Sequence, residues 1–97
     1  MGIAENEIQK EIMDYLRVRC IYHWRNNTGK RGGVTYGFPG SADILGLLPD
    51  GRFLAIECKT ETGKQSDKQR EFQLNIEANN GLYILAKSVN DVIDKLY

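Results

Sequence analysis

From Asp43 to Lys59 the chain reads D-ILGLL-PDGR-FLAI-ECK, two apolar runs joined by a four-residue turn and each carrying charge at its outer end. Pro49-Asp50-Gly51-Arg52 is a hairpin signal, so the runs are expected as antiparallel strands at about 43–48 and 53–59. Strand side chains alternate between faces. On the second strand Phe53, Ala55, Glu57 and Lys59 therefore share one face, and Leu54, Ile56 and Cys58 share the other. The turn then brings Asp43 opposite the end of its partner, beside Glu57 and Lys59. A chain of 97 residues hides only about 60–65% of its unfolded surface, so charges placed at the ends of buried strands need a reason. Two close carboxylates in apolar surroundings raise each other's pKa. An ion pair with Lys59 accounts for one acid and leaves the second over. A divalent cation bound by both would keep both ionised.

The rest of the chain supplies what such a hairpin packs against. Ile8, Ile12, Tyr15 and Leu16 recur at helical spacing and predict a helix over 4–19. CIYHWR (20–25) is expected as a strand, NNTGKRGG (26–33) as a loop, and VTYGFPG (34–40) as extended or irregular chain. TETGKQ (60–65) reads as a loop. A helix follows from Ser66 to about Asn79, with Asn80-Gly81 as its stop. LYILA (82–86) is a strand, and Ser88 or Asn90 caps a short last helix through Ile93 and Leu96. With no repeat or linker, the chain is expected as one domain over 1–97, a mixed β-sheet flanked by helices in the order α-β-β-β-α-β-α.

Charge is unevenly spread. The net charge is zero, yet no acidic residue occurs between Asp14 and Asp43, where Arg17, Arg19, Arg25, Lys30 and Arg31 are interleaved with Tyr22, His23, Trp24 and Tyr36. This is either a basic block for nucleic acid or a solvated face. No apolar run approaches the ~20 residues of a membrane span. The opening MGIAENEIQK is not read as a signal peptide, and Asn6 stands where a myristoylation signal has Ser or Thr. Cys20 and Cys58 give no disulfide framework and suit a reducing cytoplasm. Cys20-Ile21-Tyr22-His23 has the look of half a zinc site but lacks a second pair, so zinc is not expected. His23 is then a structural residue or a phosphate contact.

Two residues outside the hairpin bear on the carboxylates. Glu5 falls on the stripe of Ile8, Ile12 and Leu16, with Gln9 beside it, as either a core-facing acid or a first-turn acid favoured by the helix dipole. Ser66-Asp67-Lys68-Gln69 is a capping-box pattern, which is one complete account of Gln69.

Asp43, thirteen residues and then Glu57-Cys58-Lys59 resemble the PD-(D/E)XK nuclease signature. With GFPGSADILGLL, FLAIECK, SDKQREFQ and NNGLYILA in that order, the chain resembles a stand-alone virus-type replication-repair nuclease (VRR-NUC) domain of phage or bacterial type, from EIQKEI to VIDKL. The resemblance implies a restriction-endonuclease-like core and a Mg²⁺- or Mn²⁺-dependent endodeoxyribonuclease. Asp43 and Glu57 would be the metal-binding carboxylates, the backbone carbonyl of Cys58 a further ligand, and Glu5 an addition from the first helix. Lys59 would contact the attacking water and the phosphate, and Gln69 would flank the site. Ser41-Ala42 stands before Asp43 where many relatives have a proline, so the bend is expected earlier, near Pro39.

Phosphodiester hydrolysis fits these residue types, because hard oxygen ligands suit Mg²⁺ or Mn²⁺. Arg25, Lys30 and Arg31 are the candidate DNA contacts, and Cys58 is a core residue. The substrate is expected to be branched DNA such as a four-way junction, in a cytoplasm. A C2 homodimer with one active site per chain would provide the two symmetric cuts, and the resemblance points the same way. A non-catalytic DNA-binding module on the same fold is the alternative, and a plain ion-pair cluster in an unrelated domain is a third reading.

Overall fold

The computed structural model describes residues 4–96, and at 29–31, 35 and 36 the backbone alone. Helix α1 (Glu5–Val18) buries Ile8, Ile12 and Leu16, the stripe that the sequence spacing marks. Full burial of each such side chain contributes roughly 1.5–3 kcal/mol. The helix ends in a Schellman arrangement: the Ile21 N–H donates to Leu16 O, the Cys20 N–H donates to Arg17 O, and Cys20 takes the left-handed position at φ 57°. Cys20 is thus a helix stop, and His23 Nδ1 is engaged with Ile21 O at 2.7 Å.

Strands β1 (Tyr22–Arg25), β4 (Ile44–Leu47), β5 (Phe53–Cys58) and β6 (Leu82–Ala86) form one sheet in the order β1-β4-β5-β6. The turn at 49–52 joins β4 to β5 antiparallel, and β1 adds antiparallel to β4. Helix α2 (Asp67–Ala78) carries the chain from β5 to β6, which pairs with β5 in parallel, as a helical crossover permits. Helix α3 (Val89–Leu96) closes the chain. Alternation along the strands divides the interior. Leu54, Ile56, Cys58, Ile44 and Ile84 pack with α1 and with Val92 of α3. Ala55, Tyr83 and Ala42 meet Phe72 and Ile76 of α2 on the opposite face. The result is a small α/β fold with helices on both sides of a mixed sheet.

The structure corrects one segment. Residues 26–40 are not merely loop and irregular chain, because β2 (Gly29–Arg31) and β3 (Val34–Tyr36) pair antiparallel, with Arg31 opposite Val34. The two residues between them are Gly32 and Gly33, at φ 56° and 81°. Left-handed values at both central positions are what a tight hairpin loop requires and what glycine permits. The sequence reading took these glycines as loop composition and missed the two-residue turn that they spell. No helix among the described residues is long and apolar enough to cross a membrane.

Candidate active site

The hairpin register pairs Ile44 with Ile56. One step further along both strands sets Asp43 opposite Glu57, on the α2 face. Asp43 is fixed by main chain: its Oδ2 accepts the Cys58 N–H at 2.9 Å, and its carbonyl accepts the Asn26 N–H at 2.8 Å. Glu57 is 2% exposed. Its Oε2 accepts the side-chain amide of Gln69 at 3.0 Å and lies 3.7 Å from Lys59 Nζ. Its Oε1 is buried and receives no hydrogen bond from the described residues, although in its protonated form the carboxyl hydrogen-bonds to Asp43. Burial pushes the Glu57 carboxyl up to about 8, the charge of Asp43 adds to the rise, and Lys59 opposes it without cancelling it. At neutral pH the carboxyl thus holds its proton unless a further positive charge arrives.

Gln69 reaches this site from the first turn of α2. Its side-chain carbonyl accepts the Ser66 N–H at 2.9 Å, while its own N–H donates to Ser66 Oγ at 3.2 Å, which completes the capping box. The cap and the site are therefore served by opposite ends of one amide. Cys58, on the α1 face, is fully buried, and burial first and then Asp43 push its thiol far above the ordinary thiol range. That matches a core residue. Lys59 is half-buried at the end of β5.

Glu5 does not continue the buried stripe. It is exposed in the first turn of α1, and the first buried position of that helix is Ile8. Its charge reaches Glu57 and Cys58 as the weakest of their influences. Among the described residues no three His, Cys, Asp or Glu side chains converge as a ready metal cluster. The structure thus brings Asp43, Glu57, Lys59 and Gln69 together and leaves Glu5 at the margin.

Of the candidate DNA contacts, Arg25 is exposed and lies opposite Ile44 at the end of β1. That register turns it to the α1 side, where it shares a groove with Lys10 and Arg17. It is thus on the reverse face of the sheet from the carboxylates. Lys30 and Arg31 lie on β2, and their side chains fall outside the described ones. Arg17 and Arg19 are engaged locally, by Asp14 at 2.9 Å and by the Tyr15 hydroxyl and ring.

Two residues that hold the site were given no bracing role by the sequence reading. Asn26 donates its side-chain amide to Ser41 Oγ at 2.6 Å and to Ala42 O at 2.9 Å, and buried Ser41 donates from Oγ to Phe38 O at 2.6 Å. This network, with Gly40 at φ 82°, makes the bend into β4 without a proline before Asp43. The bend does begin before Ser41, as expected. The only advance signal was an Asn and a Ser in turn-rich segments.

Fold and site together define a small α/β protein with a carboxylate pair on neighbouring strands, flanked by a lysine and a glutamine. Among solved structures, one described as a VRR_NUC domain superposes with a TM-score of 0.72 at 20% identity, over 96% of this chain and 97% of that chain. The chain has the fold of that domain. No family model and no curated protein matches the chain.

Proposed function

We propose that this protein is a metal-dependent endonuclease that hydrolyses phosphodiester bonds in DNA. The observation that carries the reading is the Glu57 carboxyl buried beside Asp43, whose Oε1 has no partner once the group is ionised, on a fold shared with a VRR_NUC domain. An unpaired carboxylate oxygen buried in a protein of this size is costly, and a cation offers it a partner. The donor set fits a hard divalent ion, with carboxylate oxygens from Asp43 and Glu57 and the carbonyl of Cys58. Glu5, exposed at the margin, is available as an outer contributor. When bound, Mg²⁺ or Mn²⁺ supplies Lewis acidity and stabilises charge developing on the phosphoryl oxygens.

The chain's own groups do the rest. The Cys58 N–H fixes the orientation of Asp43. Gln69 fixes one oxygen of Glu57 and leaves the other for the ion. Lys59, half-buried with its ammonium at the edge of the pair, orients the attacking water and offsets charge on the phosphate. Arg25, Lys30 and Arg31 hold the DNA backbone. The substrate we favour is branched DNA such as a four-way junction, cut by a C2 homodimer in a bacterial or phage-infected cytoplasm.

The test is incubation with a labelled panel of duplex, flap, splayed-arm and four-way-junction DNAs, with Mg²⁺ or Mn²⁺ and with chelator. Metal-dependent nicking, strongest on a branched member, is the expected result. DNA affinity with no cleavage in either metal would leave a DNA-binding module in place of an enzyme.

A further inference from the structure

Helix α2 covers only half of its sheet face. It packs on Ala55 of β5 and Tyr83 of β6, with Tyr22 and Trp24 of β1 and Leu47 of β4 left 69%, 40% and 42% exposed. Between α2 and β4 runs a groove of about 410 Å³. Its apolar lining is Phe72, Ile76, Leu45, Phe53 and Phe38, the last 69% exposed. Asn75 and Asn79 stand on its rim. Among the described residues no charged side chain lines it, in a chain of which 27% is charged.

The groove lies next to the carboxylate site, sharing with it the bracing residues Asn26 and Ser41. Leu45 of β4 and Asp43, the residue before that strand, are two residues apart, about 7 Å, or roughly two 3.4 Å nucleotide steps. Asn26 and Ser41, which brace Asp43, line the groove's near end. A phosphate gains nothing from an uncharged apolar slot, whereas a flat, neutral, aromatic ring does. Bases stack on aromatic side chains without sequence preference, and each stack is worth about 1–3 kcal/mol, which corresponds to roughly 5- to 150-fold in affinity. Asn75 and Asn79 use their amide donors on the helix carbonyls Glu71 O and Asn75 O, which leaves their side-chain oxygens as acceptors for exocyclic amino groups.

We propose that this groove receives an unpaired nucleobase of the DNA whose backbone lies at Asp43 and Glu57, stacked on the exposed ring of Phe38, which Phe72 supports edge-on at 6.0 Å between centroids. The proposal rests on the nuclease reading and deepens it. It assigns a source for a preference for branched over fully paired DNA, since only a junction, flap or frayed end offers a base at little unpairing cost.

The experiment uses the cleavage-dead Glu57→Gln protein and two further substitutions in it, Phe38→Ser and Asn75→Trp. Both positions are exposed, and the second substitution fills the groove. Each protein is titrated with a perfect duplex and with the same duplex bearing an unpaired 2-aminopurine at its branch. In Glu57→Gln the 2-aminopurine fluorescence should change on binding as the base leaves its neighbours. Each added substitution should remove that change and weaken branched-DNA binding by about tenfold, leaving perfect-duplex affinity and its salt slope unaltered. An unchanged fluorescence response in both variants overturns the proposal. So does a loss of self-association on sedimentation with the DNA response intact, which would assign the face to a second copy of the chain. Failure of Glu57→Gln to bind any DNA would overturn the nuclease reading and this proposal together, whereas ordinary binding with a silent probe overturns this proposal alone.

Discussion

Gln69 donates its side-chain amide to Glu57 Oε2 at 3.0 Å while the carbonyl of the same amide accepts the Ser66 N–H that caps α2. Helix start and candidate active site are coupled through one side chain. Two substitutions separate the roles. Ser66→Ala removes the cap acceptor and should cost about 1 kcal/mol, while leaving cleavage near wild type below the melting range. Gln69→Glu keeps an acceptor for the Ser66 N–H but loses the donor to Glu57, so cleavage should fall steeply with the helix retained. Equal cleavage in Gln69→Glu and wild type, with circular dichroism as the check on folding, would make Gln69 a capping residue only.

Asp43→Ala and Glu57→Ala should each abolish cleavage in well-folded protein. Asp43→Ala removes the repulsion but also orphans the buried Cys58 N–H, so its metal-free stability should fall. In Glu57→Ala the relieved repulsion offsets part of the lost packing. Lys59→Ala should leave metal binding in place and slow cleavage severely. Calorimetric metal titration beside single-turnover cleavage distinguishes these losses, and wild-type rates in either carboxylate variant would remove the site assignment.

The raised pKa of Glu57 fixes a direction for pH. The group ionises near 8 in the folded chain against an ordinary 4.5, so the folded state binds the extra proton. The stability it contributes is fully present below about pH 4.5 and is lost as pH rises through about 8, by no more than about 1.4 kcal/mol per pH unit. Metal-free melts from pH 5 to 9 should show this decline in wild type and a flatter profile in Glu57→Gln. A divalent ion favours the ionised form, so Mg²⁺ or Mn²⁺ should raise Tm more at pH 8 than at pH 6. Parallel pH profiles in the two proteins would count against the shift.

Gly40 holds the loop before Asp43 against the start of α2. It sits at φ 82°, and a Cβ there would lie 2.6 Å from Lys68 O. Gly40→Ala combines a left-handed non-glycine residue with a backbone clash and should destabilise by more than about 2 kcal/mol. Because that loop carries Ser41 and Ala42 into Asp43, cleavage should fall well below the melting temperature too. A melting curve like that of wild type would show that the loop relaxes freely.

Replacement of Arg25, Lys30 and Arg31 by Ala should weaken binding to every DNA shape and lower the salt slope by about one unit for each phosphate that is no longer neutralised. Cleavage under saturating DNA should change much less, since Arg25 lies on the sheet face away from the carboxylates. Titrations of cleavage-dead protein at two salt concentrations decide it. An unaltered slope would mean a solvated face.

Local spacing encodes part of this protein without help from the rest of the chain. Helical periodicity marked Ile8, Ile12 and Leu16, the capping box marked the start of α2, and a four-residue turn with two-residue alternation set Asp43 against Glu57 across the hairpin. These follow from backbone geometry over a few residues, whatever lies elsewhere. Other features depended on how whole elements dock. Periodicity gave the angle of Glu5 around its helix but not where along the axis the buried layer ends, so its exposure was hidden. The face of Arg25 followed from the register of β1 on β4, two segments separated by the β2–β3 hairpin. The clasp of Asn26 on Ser41 joins positions far apart in the chain. The groove exists because α2 seats on β5 and β6 and leaves β4 half-covered. Such placements are fixed by the packing of all layers at once, and no local pattern carries them.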